Sequence, residues 1–287
     1  MHFYDVNFRK FNDKDCEIIM LVGDKIKNLK IRKPRLQKSS LERKNMLLSS
    51  LDIFKEYDAD ILDRVNNLYS TIKIVDSPFN IEHGCGHDFI TNQFGQILDN
   101  SIKLTCLYLP REIYLSDIIW YSHEMIHALK DSNYNEFINC YKYGEILPLF
   151  HEIFLSNKIS NLVVYNEWIQ LRYVYLKENN ERMDIRLMMD NHNYNILLDC
   201  LLNEKQIKDK QLLNCNNGCY LLSYYYALLL YNLYLDNPNK ILHIISKVLR
   251  KEVTTEYLLN ELDIIENNTT NNKIFNITHN SLTKILK

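Results

Sequence analysis

Two histidines four residues apart, with a glutamate directly after the first, stand at His123, Glu124 and His127 in the run Tyr-Ser-His-Glu-Met-Ile-His-Ala-Leu over positions 121–129. On a helix this spacing is one turn, so both imidazoles leave the same face and can hold one metal ion, while Glu124 stays within reach of a water beside it. Met125, Ile126, Ala128 and Leu129 are uncharged, and positions 117–121 continue an apolar helix with Ser116 as N-cap. The frame therefore predicts a buried helix, on which two imidazoles and a carboxylate are costly unless a metal satisfies them. The chemistry implied is zinc-dependent hydrolysis, with His123 and His127 as metal ligands and Glu124 as general base.

A catalytic zinc site needs a third protein ligand and leaves its fourth position to water. Glu145 is the first choice. It lies eighteen residues after His127, beyond the helix break at Asp131-Ser132-Asn133, where Gly144 and Pro148 mark the start of a second apolar helix. Glu152, seven residues on and on the same helical face, is the second choice, with a surface position as its alternative fate.

On these residues the chain resembles the gluzincin metallopeptidases, in which a glutamate on a second helix completes the His-Glu-x-x-His site. Among them it looks most like the thimet oligopeptidase and oligopeptidase F family, through Glu145-Ile146-Leu147-Pro148. Leu149 stands where the thermolysin pattern would place an aspartate. A further similarity to the oligopeptidases lies in the glycine- and tyrosine-rich stretch 218–227. The resemblance implies that a phenol there, Tyr220 or Tyr224, steadies the oxyanion of a tetrahedral intermediate. The competing role for these tyrosines is core packing with a wet tip, since the chain has 20 of them. The resemblance also implies Zn2+ as cofactor, an oligopeptide as substrate and a zincin-like fold. A non-enzymatic or single-target regulatory protein on the same fold is the alternative.

Further ligand chemistry sits at His83, Cys85 and His87, relieved by Gly84 and Gly86 and without a fourth ligand at recognisable spacing, so plain loop structure is expected there. His192, in a polar helix break, is a second candidate oxyanion donor, and His151 is expected to pack or cap.

The elements that must position this chemistry read as mainly α with a small sheet. Apolar residues recur at helical intervals over 13–28 and 40–69, giving a helical N-terminal lobe over 1–70. Positions 71–75 and 101–109 look extended, placing a small sheet over 71–110 just before the zinc helix, with 101–109 as an edge open to a peptide. Helices are expected at 116–130, 145–158, 160–190, 193–206, 218–236, 238–250 and 253–265, a reading that six glycines and five prolines support. Residues 71–265 would form the catalytic domain and 266–287 a polar linker and tail.

At 287 residues, 46% apolar and 24% charged, the chain can bury one good core, and its net charge of −2 gives no reason to expect nucleic acid or an anionic membrane as partner. No stretch reaches the length of a membrane span, the amino terminus lacks a secretory pattern, and seven scattered cysteines fit a reducing compartment, so a cytoplasmic protein is expected. Nothing in the sequence sets the oligomeric state.

Overall fold

A computed structural model of the protein describes residues 11–32, 34–76, 84–91, 97–109, 112–130, 143–182, 210–264 and 268–286. Ten α-helices and one small sheet make up the regular structure of these residues. The chain begins with α1 (Asp13–Lys27), whose start is fixed by a reciprocal capping box between Asn12 and Asp15. Next come α2 (Arg43–Leu51), a 3₁₀ turn (Asp52–Glu56) and α3 (Ala59–Thr71), with the Asp58 side chain accepting from the Ile61 amide to cap α3.

The sheet follows as β1 (Lys73–Asp76), β2 (Gly84–Thr91) and β3 (Ile97–Leu109), in the order β1-β3-β2. β1 runs parallel to β3, from Lys73 opposite Cys106 to Asp76 opposite Leu109. β2 runs antiparallel to β3, from Gly84 opposite Tyr108 to Thr91 opposite Ile97. The sheet stands where the sequence places it, but 101–109 is not a free edge. Cys106, Leu107 and Tyr108 are paired on both sides. The reason is β2, which the glycines at 84 and 86 disguise as a loop. Cys85 and His87 thus belong to a strand, and His83 lies outside the described residues, as does His192.

The helical half comprises α4 (Asp117–Lys130), α5 (Ile146–Lys158), α6 (Leu162–Arg182), α7 (Lys210–Asp236), α8 (Pro238–Leu249), α9 (Thr255–Glu261) and α10 (Asn268–Leu282). α5 and α7 are its centre. α5 buries every residue from Ile146 to Ser156, and α7 buries Leu221 through Tyr231, so both are buried all round, as interior helices are. α4 packs on α2 and α5, α6 on α7, and α1 on both α6 and α7. A single apolar core runs from Phe11 to Leu282 and includes side chains of α1 and α3 alongside those of α4, α5 and α7.

The polar tail expected after residue 265 is largely α10. Asn271, Phe275, Thr278 and Leu282, spaced four, three and four apart, are all buried, and this stripe lies against α7. Asparagine-rich composition hides the period. Among the described residues no helix is long and apolar enough to cross a membrane.

Candidate metal centre

α4 enters the core with Ile119, Tyr121, Met125, Ile126 and Leu129 buried, which carries His123 and Glu124 inward with them. His123, Glu124 and His127 each offer a ligand atom, all within 4.8 Å of one another. Facing them, Glu145 closes the group from the N-cap position just before α5. Its Oε2 lies 3.2 Å from His123 Nε2 and its Oε1 lies 3.3 Å from His127 Nε2. Glu124 Oε1 is 3.9 Å from His123 Nε2, beside this triangle. Glu145 is the N-cap residue of α5, yet its side chain makes no capping bond to the helix and turns to the imidazoles.

The other face of His123 meets Glu152. Its Nδ1 contacts Glu152 Oε1, the same oxygen that accepts from Arg172 Nη2. Glu152 Oε2 accepts from Trp168 Nε1 at 2.8 Å and from Arg172 Nε at 2.9 Å. Three donor hydrogen bonds and the close contact of His123 Nδ1 thus surround this one carboxylate. Glu152 is 0% exposed, so the surface position expected as its alternative does not hold. The guanidinium of Arg172 lies 4.2 Å from the Trp120 ring centroid and 5.3 Å from that of Tyr175, so its face is covered as well as its edge.

These contacts fix the electrostatics. The close contact of His123 Nδ1 with Glu152 Oε1 favours a proton on that nitrogen, which would turn the Nε2 lone pair toward Glu145 Oε2, a buried oxygen with no hydrogen-bond donor among the described residues. Two acceptors at that separation repel unless a cation lies between them. Burial works against a charged His123, but Glu152, Glu145 and Glu124 outweigh it and raise its pKa. Burial likewise opposes a charged Glu145, yet His127 and His123 hold its carboxyl well below the usual range.

A divalent ion fits the same gap. Ligands at about 2.0–2.2 Å from a tetrahedral zinc stand roughly 3.3–3.5 Å apart, which is close to the spacings of 3.2 and 3.3 Å found here. Charge agrees as well. Glu124, Glu145 and Glu152 against Arg172 leave two negative charges among the contacting groups when both histidines are neutral, and a dication balances them.

Of the two candidate tyrosines, Tyr220 is the one whose titration the charges of Glu145 and Glu124 affect. Its ring stands edge-on to Tyr175 at 5.1 Å, and burial, then the charge of Glu145, then Tyr175 and Glu124 push its phenol well above the usual range. Tyr224 is not brought to the site. Its hydroxyl pairs with that of Tyr173 and lies 3.4 Å from His279 Nδ1, inside the core. His151 also belongs to the core, stacked on Phe54 with centroids 4.8 Å apart and sharing a hydrogen bond of 2.8 Å between its Nδ1 and the Tyr57 hydroxyl. Sequence reasoning missed Trp168, Arg172 and Tyr175, all on α6, because no local pattern ties that helix to α4.

Comparison with protein-family models, with curated proteins and with solved structures finds no match to this chain.

Proposed function

We propose that the chain is a zinc-dependent metallopeptidase of gluzincin type on a zincin-like fold, hydrolysing peptide bonds in oligopeptides. The observation that carries the reading is Glu145, whose carboxylate reaches both His123 Nε2 and His127 Nε2 at the separations expected of ligands sharing one small ion. Two nitrogens and one carboxylate oxygen would leave the fourth tetrahedral position to water, as suits zinc in a catalytic rather than a closed structural site.

His123, His127 and Glu145 would hold the ion, which when bound supplies Lewis acidity toward water and toward the scissile carbonyl. Glu124, on the helix position after the first ligand, takes the proton of the attacking water and returns it to the leaving amine. Tyr220 donates its phenolic hydrogen to the oxyanion; its raised pKa keeps that hydrogen in place at neutral pH. Glu152, bonded to Arg172 and Trp168, holds the His123 ring with Nε2 turned inward.

Zinc-loaded wild type and Glu124→Gln, incubated with a mixed quenched-peptide library and followed by mass spectrometry, test this reading. Cuts made by wild type alone support it. Zinc binding by both with cleavage by neither favours a single-target or non-enzymatic protein on the same fold, and equal cleavage by both ends the proposed role of Glu124.

A further inference from the structure

We infer that Lys130 is a positioning residue for the metal centre, clasping the turn that presents Glu145 to the histidines. Lys130 is only 6% exposed, an uncommon place for an ammonium. It follows His123 by seven residues and His127 by three, so it continues their face of α4 by one more turn. Its Nζ donates to the Gly144 carbonyl at 2.7 Å, and the next residue is Glu145.

Two features make this bond more than a loop fastening. Glu145 spends no side-chain bond on capping α5 although it holds the N-cap position, so the helix does not itself fix where that carboxylate points. The clasp ties the backbone immediately before it to the helix bearing the other two ligands. Secondly, a buried ammonium one turn from a cation site repels the cation. Electrostatics alone would favour a neutral residue at 130, and ordering a lysine side chain costs rotamer freedom. A gain in placement offsets both costs: with the Gly144 carbonyl held, the third ligand stands at binding distance before the ion arrives.

The inference rests on the metal-binding part of the reading above, and its test reads metal affinity alone. Zinc dissociation constants are measured by competition with a chromophoric chelator, on the full chain, for wild type, Lys130→Met, Lys130→Arg, Glu145→Ala and the double variant Lys130→Met with Glu145→Ala. Lys130→Met is expected to weaken zinc by roughly 10–100-fold, as loss of an outer partner of a metal ligand does, and Lys130→Arg, which keeps donor and charge, to stay close to wild type. In the Glu145→Ala background Lys130→Met should cost nothing more, because the ligand it positions is gone. Should Lys130→Met fail to fold, Lys130→Gln, one bond shorter and still polar, takes its place.

Zinc binding by Lys130→Met as tight as wild type or tighter overturns the clasp, as does an undiminished loss in the Glu145→Ala background. Absence of zinc binding by wild type itself overturns the metal reading and the clasp together.

Discussion

Removing Arg172 isolates the buried ion pair behind His123. Arg172→Met keeps an aliphatic stem between Trp120 and Tyr175 but takes away both hydrogen bonds that the guanidinium gives Glu152. Side-chain exposures of 3% and 0% mean that water cannot replace the missing donor. Leaving one buried charge without its partner costs about 3–5 kcal/mol. A Met against the Trp120 ring recovers only about 0.3–1.5 kcal/mol of the stacking lost with the guanidinium. The double variant Glu152→Leu with Arg172→Met removes both charges. Two buried groups, Trp168 Nε1–H and His123 Nδ1, then lose the carboxylate they face, at about 1–3 kcal/mol each, so the double variant's cost should be about 2–6 kcal/mol rather than the sum of two buried-charge losses. Urea unfolding of metal-free protein at neutral pH, followed by far-ultraviolet circular dichroism, measures both. A single variant costing under about 1 kcal/mol, or a double variant costing more than about 6 kcal/mol, would refute the argument.

Tyr220→Phe should lower kcat by roughly 10²-fold at unchanged zinc content if its phenol meets the oxyanion, whereas Tyr224→Phe should leave kcat alone and cost about 1 kcal/mol of stability for its bond in the core; matching kinetic effects from the two would remove the distinction drawn between them. Burial, aided by the charge of His123, lowers the pKa of His151 from 6.5 to about 3. The unfolded chain therefore takes up a proton there below about pH 6.5 that the folded chain refuses, and this group's contribution to stability is lost as pH falls, by up to about 1.4 kcal/mol per unit. His151→Phe should flatten the pH dependence of the unfolding free energy between pH 6 and pH 4, by about that slope, and an identical slope in both proteins would contradict the assignment. Glu124→Gln should retain zinc and lose at least about 10²-fold in kcat, read by zinc content and peptide turnover on the same sample.

The helices were legible because their apolar periods are long: the expected 116–130 and 145–158 stand as Asp117–Lys130 and Ile146–Lys158. His123, Glu124 and His127 were legible from spacing, and Glu145 from the punctuation of Gly144 and Pro148. What stayed hidden depends on contacts between elements. Burial of Glu152 contradicts the rule that acids face water, and only the donors Arg172 and Trp168, from another helix, make it tolerable. Tyr220 and Tyr224 are one turn apart on a helix buried all round, so the sequence could not say which of them the charges of Glu145 and Glu124 affect. β2 was missed because glycine weakens strand patterns, and α10 because buried asparagine and threonine carry its stripe.

The account stands or falls on the third ligand, and X-ray absorption at the zinc edge reads it directly. Zinc-loaded wild type should show two imidazole nitrogens at about 2.0–2.1 Å with light oxygen scatterers at about 2.0–2.2 Å, and Glu145→Ala should lose one oxygen and bind zinc more weakly, while Glu152→Gln keeps the full ligand set. An unchanged spectrum and affinity in Glu145→Ala, or loss of an oxygen ligand in Glu152→Gln, would contradict the centre described here.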